Sequence, residues 1–279
     1  MNNLGYYNGK IGLIEEMSIP MTDRAYYFGD GVYEAVLCRN NIPYLLSVHI
    51  DRLFNGCREL DITPPIDKHK LTDLIYELVK RVEGQEKFIY FHVSRGSALR
   101  SHIYEPGYGN LCVMITPFSV GSLTEGVDTV TYEDIRYSLC HIKTLNLLPS
   151  VLAAQFARDK KCDEAIFVHK GVVTEGSHCN ISIIKNGTVI THPADCHILA
   201  GVSRGKMIKY ALEYGIAVCE RRYGIDELMN ADEVIITSTG KIIRAVKTVN
   251  GIVVGGKNQK ILSVLRDMMY NDYISSTDF

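Results

Sequence analysis

Lys143 and Glu175 are the two residues whose types and surroundings could carry out chemistry. Lys143 lies in the segment HIKTLNLLPS, between the apolar residues Ile142 and Leu145. Loss of solvation in such a segment favours the neutral amine, which can form a Schiff base with an aldehyde. Glu175 lies in VVTEGSHCN, between two strand-like segments. A carboxylate there could keep a ring nitrogen protonated, so that the ring withdraws electrons. A solvated or buried structural lysine and a turn acid beside Gly176 are the ordinary alternatives.

Three further segments could bind a phosphate. Arg52 lies in an amphipathic helix, and its guanidinium could hold a phosphate through two parallel hydrogen bonds. In LAGVSRGK, Gly201 precedes Ser203, which is predicted to be the N-cap of a helix whose first N–H groups could face an anion. The segment TSTG (237–240) brings hydroxyl groups and a glycine to the end of a strand. An exposed helix arginine, a helix cap and a turn explain the three segments equally well.

Arg100 and His102 are two residues apart in SRGSALRSHIYEP. In an extended loop both side chains would point to the same side and could bracket a carboxylate. Such a loop on its own is more often plain surface than an anion clamp. Combined with the lysine, the glutamate and Arg52, the pair suggests an enzyme that acts on an amino acid.

Turn chemistry and periodicity indicate the elements that must position these residues. Asn-Gly pairs at 8–9, 186–187 and 250–251 predict tight hairpins. Apolar residues at helical spacing predict helices over 47–60, 67–82, 149–160, 203–214 and 257–270. Further strands are predicted over 32–38, 88–94, 111–117, 127–133, 164–170 and 233–238. The chain is therefore of the α+β class, since helices and strands do not alternate as in a doubly wound sheet.

Length and composition indicate a two-domain globular protein. The 279 residues favour two domains of ordinary size, and the most plausible boundary follows the strand ending at Pro117. We therefore expect domains over 1–118 and 119–279. A hydrophobic content of 46% and a net charge of −2 indicate neither a nucleic-acid nor a membrane partner. The first residues do not resemble a secretory signal, and no apolar run approaches bilayer length.

The eight cysteines are scattered and form no CxxC pair. Reduced thiols in a cytoplasmic protein are the simplest interpretation. Cys179 follows His178, and His197 follows Cys196, but neighbouring residues in a strand point to opposite faces. We therefore expect no metal site.

Seven motifs occur in order between residues 26 and 239: YYFGDGVYEAV, HIDRL, SRGSALRSH, IKTLNLLPSVLA, DEAIFVHKGVVTEGSHCN, ILAGVSR and ITST. Through them the chain closely resembles the fold-type IV pyridoxal-phosphate enzymes, and within that family the D-amino acid aminotransferases. The resemblance implies a two-domain α+β fold with antiparallel and mixed sheets flanked by helices. It also implies that the C-terminal domain carries the Schiff-base lysine and that pyridoxal 5′-phosphate lies at the domain interface.

The resemblance implies a role for each matching position. Lys143 resembles the lysine that binds the cofactor, and Glu175 resembles the partner of its pyridine nitrogen. The positions that match the remaining cofactor contacts are Arg52, Leu199, Val202, Ser203, Ser238 and Thr239. Tyr33, Arg100 and His102 resemble the trap for the substrate α-carboxylate. In that family the last two reach in from the other subunit, so a homodimer is implied.

The implied reaction moves an amino group from a D-amino acid such as D-alanine to a 2-oxo acid such as 2-oxoglutarate, giving pyruvate and D-glutamate. The Arg-x-His pair favours this activity over the branched-chain aminotransferases and aminodeoxychorismate lyases of the same fold. A non-catalytic pyridoxal-phosphate carrier is a further alternative. The chain departs from the family at His178 and Cys179, where small hydroxyl residues are usual. Lys241 is a further departure, and if it faced the pocket it would favour acidic substrates by Coulomb attraction.

Overall fold

The computed structural model describes residues 1–278 and divides the chain into two units, each built on its own sheet. The first unit contains Met1–Ser119, Ile142–Asn146 and the residues from Ile274 onward. The second contains Val120–His141 and Leu147–Tyr273. The first long stretch of the chain thus ends two residues after Pro117. No helix of the described residues is long and apolar enough to cross a membrane.

The first unit has a six-stranded antiparallel sheet in the order β2-β1-β6-β5-β3-β4. Its strands are β1 (Leu4–Tyr7), β2 (Lys10–Gly12), β3 (Gly31–Arg39), β4 (Ile42–Pro43), β5 (Glu86–Ser94) and β6 (Asn110–Pro117). Its helices are α1 (Arg24–Phe28), α2 (Leu46–Glu59) and α3 (Lys68–Val79), and a 3₁₀ turn covers Ile14–Glu16. Helix α2 buries a stripe that includes Ile50, Leu53 and Cys57 in the core of this unit.

The segment 142–146 packs with the first unit, although the sequence analysis assigned it to the C-terminal domain. The backbone explains this difference. Tyr33 N–H donates to the Lys143 carbonyl at 2.9 Å, and Leu145 N–H donates to the Gly31 carbonyl at 3.0 Å. Ile142 is buried in the same apolar core as α2. These contacts attach the segment to strand β3 before the chain returns to the second unit.

The second unit has a mixed nine-stranded sheet in the order β12-β11-β10-β13-β14-β7-β8-β9, with β15 paired to β14. Its strands are β7 (Val127–Glu133), β8 (Glu164–His169), β9 (Val172–Gly176), β10 (Asn180–Lys185), β11 (Thr188–Thr191), β12 (Ala217–Glu220), β13 (Glu233–Ser238), β14 (Ile242–Val249) and β15 (Ile252–Val253). Its helices are α4 (Leu148–Asp159), α5 (Val202–Glu213), α6 (Ile225–Met229) and α7 (Gln259–Ser275), the last of which ends in the first unit. Strand β7 is parallel to both β14 and β8, and β11 is parallel to β12.

All three predicted Asn-Gly hairpins are confirmed. In each turn both residues have positive φ, for example 48° at Asn186 and 77° at Gly187. A tight hairpin turn of this hand needs that backbone conformation at both positions, and asparagine and glycine adopt it at the lowest cost. The short elements α1, α6 and β12 were not predicted, because four or five residues carry too little periodicity.

Candidate active site

Lys143 presents a half-buried amine beside the ring of Tyr33. The distance from Nζ to the ring centroid is 4.2 Å, a cation–π contact. Among residues 1–278, no side chain or carbonyl forms a hydrogen bond or an ion pair with Nζ. The segment is held instead by its backbone, through the bonds to β3. The amine is therefore positioned without being neutralised by a carboxylate.

A buried ion cluster lies on the neighbouring strand and helix of the first unit. Glu34, on β3, is fully buried, and Arg52 donates to it from Nε at 2.6 Å and from Nη2 at 2.9 Å. His49 Nδ1 is 2.7 Å from the same carboxylate. Burial alone would raise the pKa of Glu34, but the hydrogen bonds and charges of Arg52 and His49 lower it to about 2. Burial lowers the pKa of His49, and the charges of Arg52 and Lys143 add to that effect.

The geometry of Arg52 differs from the expected bidentate grip on a phosphate. The Nε–Nη2 edge of its guanidinium already binds Glu34, because a fully buried carboxylate requires a cation. A contact between Arg52 and a phosphate therefore stays a prediction, and it cannot use that edge while the pair is intact.

The residues predicted to bind a substrate carboxylate lie on a strand and on a loop of the first unit. Tyr33 is half-buried on β3, and its ring stacks on Tyr90 with centroids 5.6 Å apart. Arg100 and His102 are exposed in the loop between β5 and β6. Both lie against Phe28, since Arg100 Cζ is 5.2 Å from its ring centroid and the His102 ring is 5.3 Å away. The structure thus places the Arg-x-His pair on one aromatic ring.

Glu175 is the centre of a buried polar network in the second unit. Its Oε2 accepts hydrogen bonds from Leu199 N–H at 3.0 Å and from Asn180 Nδ2 at 3.1 Å. Its Oε1 is 2.5 Å from Arg136 Nη1. A carboxylate held by a guanidinium and two further donors is strongly favoured in its ionised form.

Two details of the Glu175 segment differ from the sequence analysis. Glu175 was expected between strands, but it lies within strand β9. Gly176 was considered as a source of unusual backbone angles, yet it is not among the residues with positive φ. A glycine is needed there for space, since a Cβ would come 2.3 Å from Cys179 Sγ.

Helix α5 begins in the segment where the sequence predicts an anion-binding helix terminus. Its N-cap is Gly201, so the expectation that Ser203 would be the N-cap is wrong. Position 201 has no room for a larger residue, because a Cβ there would be 2.0 Å from Asn180 Oδ1. Val202 and Ser203 are the first two residues of the helix, where N–H groups have no acceptor within the helix. Asn180 Nδ2 also donates to the Leu199 carbonyl at 2.8 Å, which ties Glu175 to the loop before this helix.

Ser238 ends strand β13, and Thr239 follows it in the turn to β14. The Ser238 hydroxyl accepts a hydrogen bond from Lys241 N–H at 3.2 Å. Lys241 Nζ lies 3.6 Å from Oε2 of the buried Glu164, and His178 Nδ1 lies 3.1 Å from the same oxygen. Glu164 therefore already balances the charge of Lys241, which weakens the Coulomb argument for acidic substrates.

Arg136 is the site residue that the sequence analysis missed. It donates to both oxygens of Asp134, at 2.9 Å from Nε and 2.8 Å from Nη2, and it also contacts Glu175. Burial would lower the pKa of Arg136, but the bonds to Asp134 and the charge of Glu175 raise it. The only local signal was the Asp-x-Arg spacing after β7, and nothing in the sequence connects that pair with Glu175, 39 residues later. Within residues 1–278, no three metal-ligating side chains are close enough to hold a metal ion.

Comparisons with known proteins match the chain over nearly its whole length. The family described as Amino-transferase class IV matches residues 31–249. A D-alanine aminotransferase of Bacillus licheniformis is 33% identical over 278 residues, which is 97% of each chain. A D-alanine aminotransferase of Listeria monocytogenes serotype 1/2a is 36% identical over 259 residues, covering 90% of this chain and 89% of that protein.

A crystal structure of a branched-chain aminotransferase from Thermoproteus uzoniensis has a TM-score of 0.87 at 24% identity, and it covers 98% of this chain and 96% of its own. At that identity the likeness shows the fold, and it confirms the expected two-sheet α+β architecture of fold type IV. The family match covers both β3 of the first unit and the Glu175 network of the second. The chain therefore belongs to the class IV aminotransferases.

Proposed function

We propose that this protein is a pyridoxal-phosphate-dependent D-amino acid aminotransferase. It moves the amino group of a D-amino acid such as D-alanine to a 2-oxo acid such as 2-oxoglutarate, giving pyruvate and D-glutamate. The observation that carries the proposal is the similarity to proteins named D-alanine aminotransferase, at 33% identity over 97% of both chains for one of them. The Arg-x-His pair at 100 and 102 supports the same subtype.

The residues present fit pyridoxal 5′-phosphate. Lys143 offers an amine with no ion-pair partner among residues 1–278, which suits a covalent link to an aldehyde. Glu175 offers a carboxylate fixed by Arg136 and Asn180, suited to a protonated ring nitrogen. Val202 and Ser203 offer helix N-terminal N–H groups for a phosphate, and Ser238 and Thr239 offer hydroxyls. Leu199 would pack against the ring, and Arg52 would add positive charge near the phosphate.

The cofactor, when bound, supplies a ring that withdraws electrons from the substrate α-carbon. The chain supplies the proton transfers and the electrostatics. Lys143 Nζ would hold the cofactor covalently at rest, and its free amine would take the proton from the substrate α-carbon. Glu175 would keep the ring nitrogen protonated, because its own ionised form is held by three donors.

A second group of residues orients the substrate. Tyr33, Arg100 and His102 bind the α-carboxylate and so determine which hydrogen faces Lys143. The proposal includes a homodimer, in which Arg100 and His102 serve the partner's site, as the family resemblance implies. It also includes a cytoplasmic location, supported by the eight unpaired cysteines of the described chain.

A panel of amino donors tests the activity. The purified holoenzyme is given D-alanine, L-valine and aminodeoxychorismate in turn, with and without 2-oxoglutarate, and pyruvate and glutamate are measured. We expect sustained formation of pyruvate and D-glutamate from D-alanine only when 2-oxoglutarate is present, since without an acceptor each site releases at most one pyruvate. Turnover of L-valine in preference to D-alanine would indicate a branched-chain enzyme, and sustained pyruvate release from aminodeoxychorismate without an acceptor would indicate a lyase.

Covalent labelling tests the assignment of the lysine. Borohydride reduction of the holoenzyme, followed by peptide mass spectrometry, should place the reduced cofactor on Lys143. Label on another lysine would contradict the assignment. A protein that binds the cofactor without a yellow absorption band would be the non-catalytic carrier.

A further inference from the structure

Arg24 is a buried arginine that the sequence analysis did not single out. Its residue surface is 5% exposed, and it begins helix α1. Nε donates to Asp30 Oδ2 at 2.8 Å, and Nη1 donates to the backbone carbonyl of Ser101 at 2.7 Å. Buried arginines are rare unless their charge and donors are satisfied, so this position has a specific structural demand.

Arg24 binds the backbone of the loop that carries the Arg-x-His pair. Ser101 lies between Arg100 and His102, so Arg24 holds the backbone at the centre of the pair. Phe28, one helical turn after Arg24, contacts all three side chains. Its ring centroid is 5.0 Å from Arg24 Cζ, 5.2 Å from Arg100 Cζ and 5.3 Å from the His102 ring. Helix α1 thus fixes both the main chain and the side chains of the pair.

The rest of the loop is attached differently. Arg24 N–H donates to the Gly96 carbonyl at 2.9 Å, and Ala98 N–H donates to the Thr22 carbonyl at 2.9 Å. Among the described residues, no such backbone bond involves residues 99–103. In the described part of the chain, the Arg24 guanidinium makes the only hydrogen bond that reaches residues 99–103 from outside that segment. Leu99 and Ile103 on either side are 84% and 80% exposed, so packing within the chain adds little.

We propose that Arg24 is a positioning residue for recognition of the substrate carboxylate. The inference rests on the proposed function, in which Arg100 and His102 bind that carboxylate. By fixing the Ser101 carbonyl, Arg24 determines where the two flanking side chains stand before substrate arrives. Without Arg24, the side chains of Arg100 and His102 become ordered only when substrate binds. The entropy cost of that ordering lowers the substrate affinity.

Arg95 provides a matched control. It also donates to Asp30, from Nε at 2.9 Å, and it also lies over an aromatic ring, that of Tyr104 at 3.7 Å. Its other donors bind the carbonyls of Asp61 and Leu60 instead of Ser101. Replacing either arginine therefore removes one cation from Asp30, but only Arg24 holds the Arg-x-His backbone.

The test compares Arg24→Met, Arg24→Lys and Arg95→Met holoenzymes with D-alanine and 2-oxoglutarate. For Arg24→Met we expect KM for both substrates to rise roughly 10- to 100-fold, the scale of a misplaced substrate-binding group. The kcat and the affinity for pyridoxal phosphate should stay near the wild-type values. Arg24→Lys should raise KM less than Arg24→Met does, because one ammonium can keep only part of the contacts with Asp30 and the Ser101 carbonyl. Arg95→Met should leave KM within about threefold, as expected when no substrate-binding group moves.

Ethylamine, which is D-alanine without its carboxylate, separates positioning from general damage. The reaction of the bound cofactor with each amine is followed by absorbance in a single turnover. The Arg24→Met substitution should slow the reaction with D-alanine and leave the rate of the reaction with ethylamine unchanged. Equal slowing of both amines, or a wild-type KM in the Arg24 variants, would overturn the inference. Failure of the wild-type enzyme to react with D-alanine would instead count against the proposed function itself. If Arg24→Met does not fold, Arg24→Lys carries the same comparison.

Discussion

Tyr33 and Lys143 are joined at two levels. The Tyr33 N–H donates to the Lys143 carbonyl at 2.9 Å, and the Lys143 amine lies 4.2 Å from the centre of the Tyr33 ring. The first contact fixes the backbone of the lysine segment to β3. The second places the amine against the face of the ring without supplying a counter-charge. A lysine held in this way stays available to react.

Lys143→Ala should abolish turnover while leaving the protein folded. Loss of a positioned proton-transfer group alone lowers kcat roughly 10²- to 10⁴-fold, and loss of the covalent link adds to this. The variant should bind pyridoxal phosphate without the yellow absorption band. Lys70→Ala is the control, since Lys70 is an exposed lysine of helix α3. Near-normal transamination by Lys143→Ala would refute its role.

Arg136→Gln should destabilise the protein at pH 7, because it leaves Asp134 and Glu175 buried beside each other without their shared cation. Breaking a buried ion pair from one side costs about 3–5 kcal/mol. Burial would raise the pKa of Asp134, but Arg136 and Thr174 lower it. In the variant the pKa of Asp134 is lowered less than in the wild type. The loss of stability relative to wild type should therefore shrink as the pH falls and Asp134 is protonated. Urea unfolding at pH 7 and pH 4 measures both effects.

Arg158→Gln, at an exposed position in helix α4, is the control for the Arg136 variant. Substitutions at such positions usually change stability by less than about 0.5 kcal/mol. If the two glutamine variants unfolded at the same urea concentration, the shared-cation account of the Glu175 network would be wrong.

Glu34→Gln should lower stability in a pH-dependent manner. The folded pKa of Glu34 is about 2, against an ordinary value of 4.5. Its ionised form therefore contributes stability above the unfolded pKa, and that contribution is lost as pH falls towards the folded pKa. A shift of this size corresponds to about 3 kcal/mol at neutral pH. The difference between wild type and variant should be full at pH 7 and nearly absent near pH 2.

Glu77→Gln is the matched control for Glu34→Gln. Glu77 also pairs with an arginine, Arg81, but both side chains are exposed. Exposed pairs contribute about 0–1 kcal/mol, so this variant should show little change at any pH. A pH-independent loss in Glu34→Gln would mean that packing, not charge, explains the position.

Gly201→Ala should weaken cofactor binding. The added Cβ would overlap Asn180 Oδ1, and Asn180 holds both Glu175 and the Leu199 carbonyl. Overpacking of this kind costs about 1–3 kcal/mol. Gly205→Ala lies one turn later in the same helix, where a Cβ meets nothing within 4 Å. That control should be neutral or slightly stabilising, since alanine favours helix more than glycine does. Equal cofactor affinity in the two variants would contradict the prediction.

Local signals predicted most of the fold. The Asn-Gly turns specify hairpins through the backbone angles of two residues, and the apolar stripe of α2 predicted its bounds within one residue. Ser203 has the residue type of a helix cap, but the helix already begins at Val202, after Gly201, which packs against Asn180 of a separate segment. A capping preference is local, whereas that steric constraint is not.

The site was predicted in part for the same reason. Lys143 and Glu175 stand in segments with recognisable motifs. The partners of these segments depend on tertiary pairing: Arg136 reaches Glu175 from the loop after β7, and Arg24 reaches Ser101 across 77 positions. Arg52 was identified, but its bond to Glu34 requires knowing that β3 and α2 pack together. Sequence patterns identify the reactive residues more readily than they identify the residues that hold them in place.

The parallel pairing of β7 with β14 has a consequence for biosynthesis. Thr129 on the first of these strands donates to the Thr248 carbonyl on the second, across a sequence separation of 119. Contacts this distant close large loops and slow folding. A nascent chain leaving the ribosome can complete its first sheet early, yet β7, β8 and β9 join the rest of their sheet only after β14 has been synthesised. Ribosome stalling or premature termination before residue 242 would therefore release a product with an open sheet edge, a target for chaperones and proteases.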